Sequence, residues 1–190
     1  MSKCVENSVV SRNPSGSWPF QPATGIGPGG QSGDSRGWLG VDVVRAVPNH
    51  RRIGLPRGTT VTGWYPIKPG HPAVAYEGGL ERDFLSQIAM LNCVERVESQ
   101  PVTVFFRCEG HQRRYTPDFF LRLASIPVGL KPLGVVTGCF YVEVKPRRFL
   151  LRSVPPLAVK FEAVRQATGL PILLFTDEEI RERGGEVFHE

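Results

Sequence analysis

The sequence predicts an α/β domain in which a mixed sheet is flanked by helices. Three observations carry this reading. Arg113 to Leu123 and Phe140 to Lys145 are rich in aromatic and β-branched residues and bounded by turn formers, as strands are. Apolar residues recur at helical spacing after Gly78-Gly79 and again after Pro155-Pro156. The run Leu170-Pro171-Ile172-Leu173-Leu174-Phe175 is continuously apolar, which predicts a strand buried on both faces. The resulting order is helix, three strands, helix, strand, a pattern that layers helices on a sheet. A chain of 190 residues suffices for one core of ordinary size.

Taken in order, residues 1–38 are Gly/Pro/Ser-rich, with Asn13-Pro14-Ser15-Gly16 and Gly25 to Gly33 as the extreme stretches. They hold too few apolar side chains to offset the entropy of ordering, so they read as a flexible arm before a domain over 39–190. Composition shifts at Trp38 to Val44, a short strand or turn. Arg51-Arg52-Ile53-Gly54-Leu55-Pro56-Arg57 is a basic segment with helix breakers, equally suited to phosphate contact or to a solvated loop. Leu80, Phe84, Ile88 and Leu91 place one stripe of the first helix in the core, with Glu81 in its first turn. Val102 to Arg107 and the strand from Arg113 form a hairpin joined through Glu109-Gly110-His111-Gln112. The second helix begins after Pro155-Pro156, stops at Gly169 and buries Leu157, Phe161 and Val164. Lys160 and Arg165 read as exposed on it. Asp177 to Arg183 is a short terminal helix.

There are 23 Lys and Arg residues against 18 Asp and Glu, a net charge of +5, which favours an anionic partner such as nucleic acid. Cys4, Cys93, Cys108 and Cys139 show no Cys-x-x-Cys pair and no His at zinc spacing, so free thiols in a reducing compartment are expected. No stretch has the length and apolarity of a membrane span, and the first thirty residues lack a signal-peptide core. A soluble, cytoplasmic protein with no membrane partner is the expectation.

The chemistry gathers on the two best strands. In an extended strand alternate side chains share a face. Phe140, Val142 and Val144 therefore face a core, while Tyr141, Glu143 and Lys145 face the other way. Asp118 lies between Pro117 and Phe119, a costly setting for a carboxylate without a partner. Two carboxylates and a lysine on one sheet face suit a site for Mg²⁺, with Mn²⁺ as a substitute, and a scissile phosphate. The spacing is the Pro-Asp…Glu-x-Lys signature of the PD-(D/E)XK nucleases. Read by itself, the same pattern also fits a plain strand pair with a surface Glu–Lys neighbour.

The longer pattern is more specific. Arg51-Arg52-Ile53-Gly54, Tyr76 to Leu85, Val97 to Val102, Arg114 to Phe119 and Val142 to Pro146 occur in order, and together they resemble the TnsA-type endonuclease subunit of heteromeric transposases over roughly residues 50–180. The resemblance implies a restriction-endonuclease-like fold and a metal-dependent endonuclease that nicks the 5′ ends of a transposon. It further implies double-stranded DNA at the transposon ends, a DDE-type transposase subunit and an ATPase regulator as partners, in a prokaryotic cytoplasm. The family's Leu-Glu falls on Leu80-Glu81, its Thr-Pro-Asp-Phe on Thr116 to Phe119, and its acidic-x-Lys-Pro on Glu143 to Pro146. Read locally, Glu81 is a first-turn dipole partner; the resemblance makes it a metal-site carboxylate beside Asp118 and Glu143. The larger members carry a winged-helix-like C-terminal domain, whereas this sequence ends soon after its last expected short helix, and its N-terminal arm has no counterpart in the pattern.

On this reading Glu81, Asp118, Glu143 and Lys145 are the catalytic set, and the three carboxylates are the metal ligands. Lys145 orients and helps deprotonate the attacking water, or stabilises charge on the phosphate. Gln100 positions substrate or water, or makes an ordinary strand-end hydrogen bond. Arg51, Arg52, Arg57, Arg113, Arg114, Arg147 and Arg148 cluster in sequence around these elements as DNA contacts. Two alternatives stand beside the transposase subunit: a stand-alone resolvase or repair-type nuclease, and a non-cleaving DNA-docking protein with a nuclease-like fold.

Overall fold

The computed structural model describes residues 39–49, 61–135, 138–152 and 155–189. The arm expected over 1–38 and the basic segment with Arg51, Arg52 and Arg57 lie outside them. The described residues form a mixed α/β structure. Its strands are β1 (Val41–Pro48), β2 (Gly63–Tyr65), β3 (Val74–Tyr76), β4 (Val94–Ser99), β5 (Val102–Cys108), β6 (His111–Tyr115), β7 (Phe119–Leu123), β8 (Cys139–Val144) and β9 (Ile172–Phe175). The helices are α1 (Gly79–Ala89), α2 (Leu157–Thr168) and a last turn, α3 (Gly184–Val187).

The single mixed sheet expected from sequence is instead three sheets, ordered β1-β5-β6, β2-β3 and β4-β7-β8-β9. Proline is the reason. The long hairpin is real, but Pro101 on one arm and Pro117 on the other remove the N–H groups a ladder needs. The ribbon breaks there. Its β4–β7 half joins β8, and its β5–β6 half joins β1. Arg113 to Leu123 is thus two strands in two sheets, not one. Glu109 and Gly110 close the far end of the ribbon with φ of 51° and 75°, the left-handed pair that a tight two-residue hairpin turn requires.

The four-stranded sheet carries a core on each face. On one side Phe84, Leu85, Ile88 and Leu91 meet Phe119, Leu121, Phe140, Val142 and Phe175. Leu80, the first residue of the expected stripe, is only partly buried. The Phe84 ring lies 5.5 Å from Phe119, 5.2 Å from Phe175 and 6.0 Å from Phe188. Phe84→Ala therefore removes the ring on which three others converge. It is expected to cost about 3–5 kcal/mol, read as a lower denaturant midpoint at unchanged slope.

On the other side Tyr141 and Phe120 pack with α2 and with the inner face of β1-β5-β6, represented by Val41, Val104, Phe106 and Tyr115. The α2 boundaries follow the Pro156 and Gly169 signals, with Gly169 left-handed at φ 72°. Its buried face differs from expectation: Ala163 and Val164 are buried, Val159, Phe161 and Ala167 partly so, and Leu157 stays outside this core. Small residues face β1 because the helix packs on that strand and on β5. The β8–α2–β9 crossover makes β8 and β9 parallel, while the other pairs of this sheet are antiparallel. β9 is its edge, so Ile172, Leu173 and Leu174 are half-buried and only Phe175 is fully buried, against the expected double burial. Among the described residues no helix is long and apolar enough to cross a membrane. Cys93, Cys108 and Cys139 form no disulfide with one another.

Candidate active site

The breaks that split the ribbon also build the site. The chain crosses between the two larger sheets twice, at Gln100-Pro101 and at Thr116-Pro117-Asp118. The crossings are tied together by the Gln100 N–H donating to the Asp118 carbonyl (2.7 Å) and by a Thr103–Thr116 hydroxyl pair (2.7 Å). Gln100 has φ 46°, a left-handed conformation costly for a residue with a side chain. Of the two roles open to Gln100, the strand-end hydrogen bond is present, made by its backbone.

Asp118 enters β7 at this joint, across from the end of β8. Its Oδ2 accepts the Val144 N–H at 2.7 Å. Glu143 is the one buried charged residue among the described residues. As the alternation on β8 requires, it shares the α2-side face with Tyr141, and its Oε2 accepts the Tyr115 hydroxyl at 2.7 Å. Lys145 Nζ stands 3.7 Å from the other oxygen, Oε1, while its N–H is held by the Phe175 carbonyl (3.0 Å). Glu81 approaches from the first turn of α1, where its Oε2 accepts the Glu77 N–H at 2.8 Å. The local reading of Glu81 as a first-turn dipole partner matches its place in the first turn of α1. The Glu77 bond leaves the carboxylate facing Glu143 and Asp118 electrostatically.

The charges of these groups show how closely they crowd. Burial, followed by the charges of Glu143 and Glu81, pushes the Asp118 carboxyl well above the usual carboxylate range, against the pull of the Val144 N–H and Lys145. Burial pushes Glu81 from 4.5 to about 7; the Glu77 N–H opposes this and the charges of Glu77 and Glu143 add to it. Burial and the Glu143 charge hold the Tyr115 phenol protonated far above its ordinary value, so Tyr115 remains a donor. For Glu81 the raised folded pKa means that the native state binds the proton more tightly. Its contribution to stability is complete below about 4.5 and is lost as pH rises through about 7. In a chelator, the melting temperature should fall between these values, and Glu81→Gln should flatten the fall, as followed by thermal melts across pH.

In each of the three carboxylates one oxygen is thus fixed by a protein donor, and the second remains for other partners. Hard carboxylate oxygens whose mutual repulsion a cation would relieve fit Mg²⁺ or Mn²⁺. Among the described residues no group of three or more His, Cys, Asp or Glu side chains is arranged to hold a metal ion on its own. Asp118 and Glu143 with water ligands, and Glu81 acting through water, are the donor set these positions offer.

One residue read from sequence as exposed belongs here. Lys160 is half-buried one helical turn from Ala163 and Val164, with its Nζ 5.8 Å from the centre of the Tyr115 ring. Burial and then the Lys145 charge lower its pKa, and Glu143 opposes them. The signal for it was positional: 160, 163, 164 and 167 share one helix face. Arg165 is exposed and paired with Glu162.

The basic candidates divide. Arg113 and Arg114 are exposed on β6. Arg147 is engaged by Glu178 (2.5 Å), and its N–H by Asp177 (2.6 Å), so it anchors the 3₁₀ turn 147–152 more than it offers a free charge. Arg148 and Arg152 lie 4.8 and 5.3 Å from the Phe149 ring centre, beside a fully exposed Leu151. Compared with known proteins, the chain matches no family model and no curated protein sequence.

Proposed function

We propose that the chain is a metal-dependent DNA endonuclease with a restriction-endonuclease-like fold, acting as the TnsA-type subunit that nicks the 5′ ends of a transposon beside a DDE-type transposase. The observation that carries the reading is that Asp118 and Glu143 stand at the end of β8 with Lys145 3.7 Å from Glu143 and Glu81 within electrostatic reach of both carboxylates, each carboxylate oriented by its own donor. A surface Glu–Lys pair has no need of a buried Glu143 held by a buried tyrosine, so the plain strand-pair alternative loses its appeal.

When bound, a divalent ion supplies Lewis-acid polarisation of the scissile phosphate and stabilises the leaving 3′ oxygen. The protein's part is positional and electrostatic. Tyr115 and the Val144 N–H fix Glu143 and Asp118 in orientation, and the Glu77 N–H does the same for Glu81. Lys145 holds the attacking water against the phosphorus and balances the charge that builds on the phosphate. Water adds to phosphorus, the P–O3′ bond breaks, and a 5′ phosphate and a 3′ hydroxyl result. The test is nicking of a duplex carrying transposon-end sequence, with Mg²⁺ or Mn²⁺, with and without the partner transposase. Nicking that depends on both the ion and the partner supports the subunit reading. Partner-independent nicking moves it to a stand-alone nuclease, and binding without nicking under every divalent ion removes the enzyme.

A further inference from the structure

The described arginines divide by whether they are ion-paired. Arg82, Arg96, Arg122, Arg147, Arg165, Arg181 and Arg183 are each ion-paired with a nearby carboxylate. Six described arginines enter no ion pair: Arg148 and Arg152 lie against Phe149 on the 3₁₀ turn, and Arg45, Arg107, Arg113 and Arg114 are exposed on the β1-β5-β6 sheet.

Their placement follows from register. Paired residues of an antiparallel sheet point to one face. Phe105 pairs with Arg45 on one side and Arg114 on the other, and Arg107 pairs with Asp42 and Gln112. The face that carries Val41, Val104, Phe106 and Tyr115 is packed against α2, so Arg45, Phe105, Arg107 and Arg114 form the opposite, open face. The Arg45 guanidinium lies 4.5 Å from the Phe105 ring centre, which holds the side chain flat on the sheet. A groove of about 560 Å³ runs here, lined by Val44, Arg45, Phe105, Arg113 and Arg114 among others. Charges on an edge strand guard against sheet-to-sheet pairing. That accounts for β6 but not for Arg107, on the central strand.

We infer that this open face seats the duplex, with Arg45, Arg107 and Arg114 on phosphates of the DNA backbone. Arginine's planar fork suits phosphate oxygens, and unpaired arginines on one face repel each other until an anion arrives. The inference rests on the nuclease reading for the identity of the polyanion.

The experiment is fluorescence anisotropy of a labelled duplex in a chelator, across a salt series, with three proteins. The first is wild type. The second carries Arg45→Gln, Arg107→Gln and Arg114→Gln. The third carries Arg122→Gln, Arg165→Gln and Arg183→Gln, which removes the same charge from ion-paired sites. The open-face variant should show a log–log salt slope shallower by about 2.7, from three lost contacts at about 0.9 each, with affinity down by on the order of tenfold or more. The control should match wild type. If the open-face variant fails to melt cooperatively, Arg45→Gln and Arg114→Gln taken singly should each reduce the slope by about 0.9. Equal weakening of the two triple variants overturns the inference, because the net field then binds DNA rather than this face. Binding to polyglutamate but not to the duplex also overturns it, in favour of an acidic protein partner. Nicking by wild type is scored separately: open-face-dependent binding with no nicking keeps this surface and removes the nuclease, and nicking with open-face-independent binding does the reverse.

Discussion

Asp118→Ala is expected to abolish nicking with both Mg²⁺ and Mn²⁺, a loss on the order of a thousandfold or more. The size of the effect follows from position. Asp118 is the carboxylate nearest the joint between the two larger sheets, fixed by its own carbonyl to Gln100 and by its side chain to Val144. No neighbouring acid can move into its place, because the Tyr115 hydroxyl holds Glu143 and the Glu77 N–H holds Glu81 where they stand. A variant that nicks at the normal rate with Mg²⁺ would sink the assignment.

The same residue should trade stability for function. Its carboxyl is held well above the usual range by burial and by Glu143 and Glu81, so the native state binds the proton more tightly than the unfolded chain does. The stabilisation is present below the unfolded pKa and is lost as pH rises toward the raised folded value. Without metal, Asp118→Asn removes the carboxyl whose ionisation the fold opposes and keeps an oxygen for the Val144 N–H. A gain of about 1–2 kcal/mol is expected, a rise of several degrees in Tm for a chain of this size. Added Mg²⁺ should raise the Tm of wild type and leave that of Asp118→Asn unmoved. If wild type and Asp118→Asn respond alike, the ion is binding elsewhere.

What could be read from sequence divides along physical lines. Local signals were legible: Pro156 and Gly169 bound α2, Glu109-Gly110 closes the hairpin, and the alternation on β8 puts Val142 and Glu143 on opposite faces. The splitting of the ribbon was not assembled from those signals, although Pro101 and Pro117 were both visible. A proline marks where a ladder breaks, but which sheet each half joins is set by distant packing, here of β1 on β5 and β8 on β7. Lys160 was misplaced for a related reason. A helix with alanines on its inner face has a weak apolar stripe, so its pattern points to Leu157 beside Phe161 and Val164, of which only Leu157 stays outside the α2 core. The tether from Tyr115 to Glu143 spans 28 positions and two sheets, and nothing local announces it.

Lys145→Ala is expected to lower nicking by on the order of a hundredfold or more while leaving DNA affinity nearly unchanged. Lys145 is one positive charge among 23, and nonspecific affinity scales with the number of phosphates neutralised, so its share of binding is small. Its share of chemistry is large because of where it stands: mostly buried, 3.7 Å from Glu143, on a backbone held by Phe175. Arg148→Ala should behave in the opposite sense. Its guanidinium lies against Phe149 on an exposed turn and makes no contact with the site carboxylates among the hydrogen bonds and ion pairs of the described residues, so binding should weaken, the salt slope should become shallower by about 0.9, and turnover should return at high DNA concentration. Arg147→Ala differs again, since it breaks the contact to Glu178 that anchors the turn and should act by loosening Arg148. One labelled duplex, followed by nicking and by anisotropy, separates the three. If Lys145→Ala cleaves normally, or loses as much affinity as Arg148→Ala does, then Lys145 docks DNA rather than acting on the phosphate, and the non-cleaving reading of this fold gains.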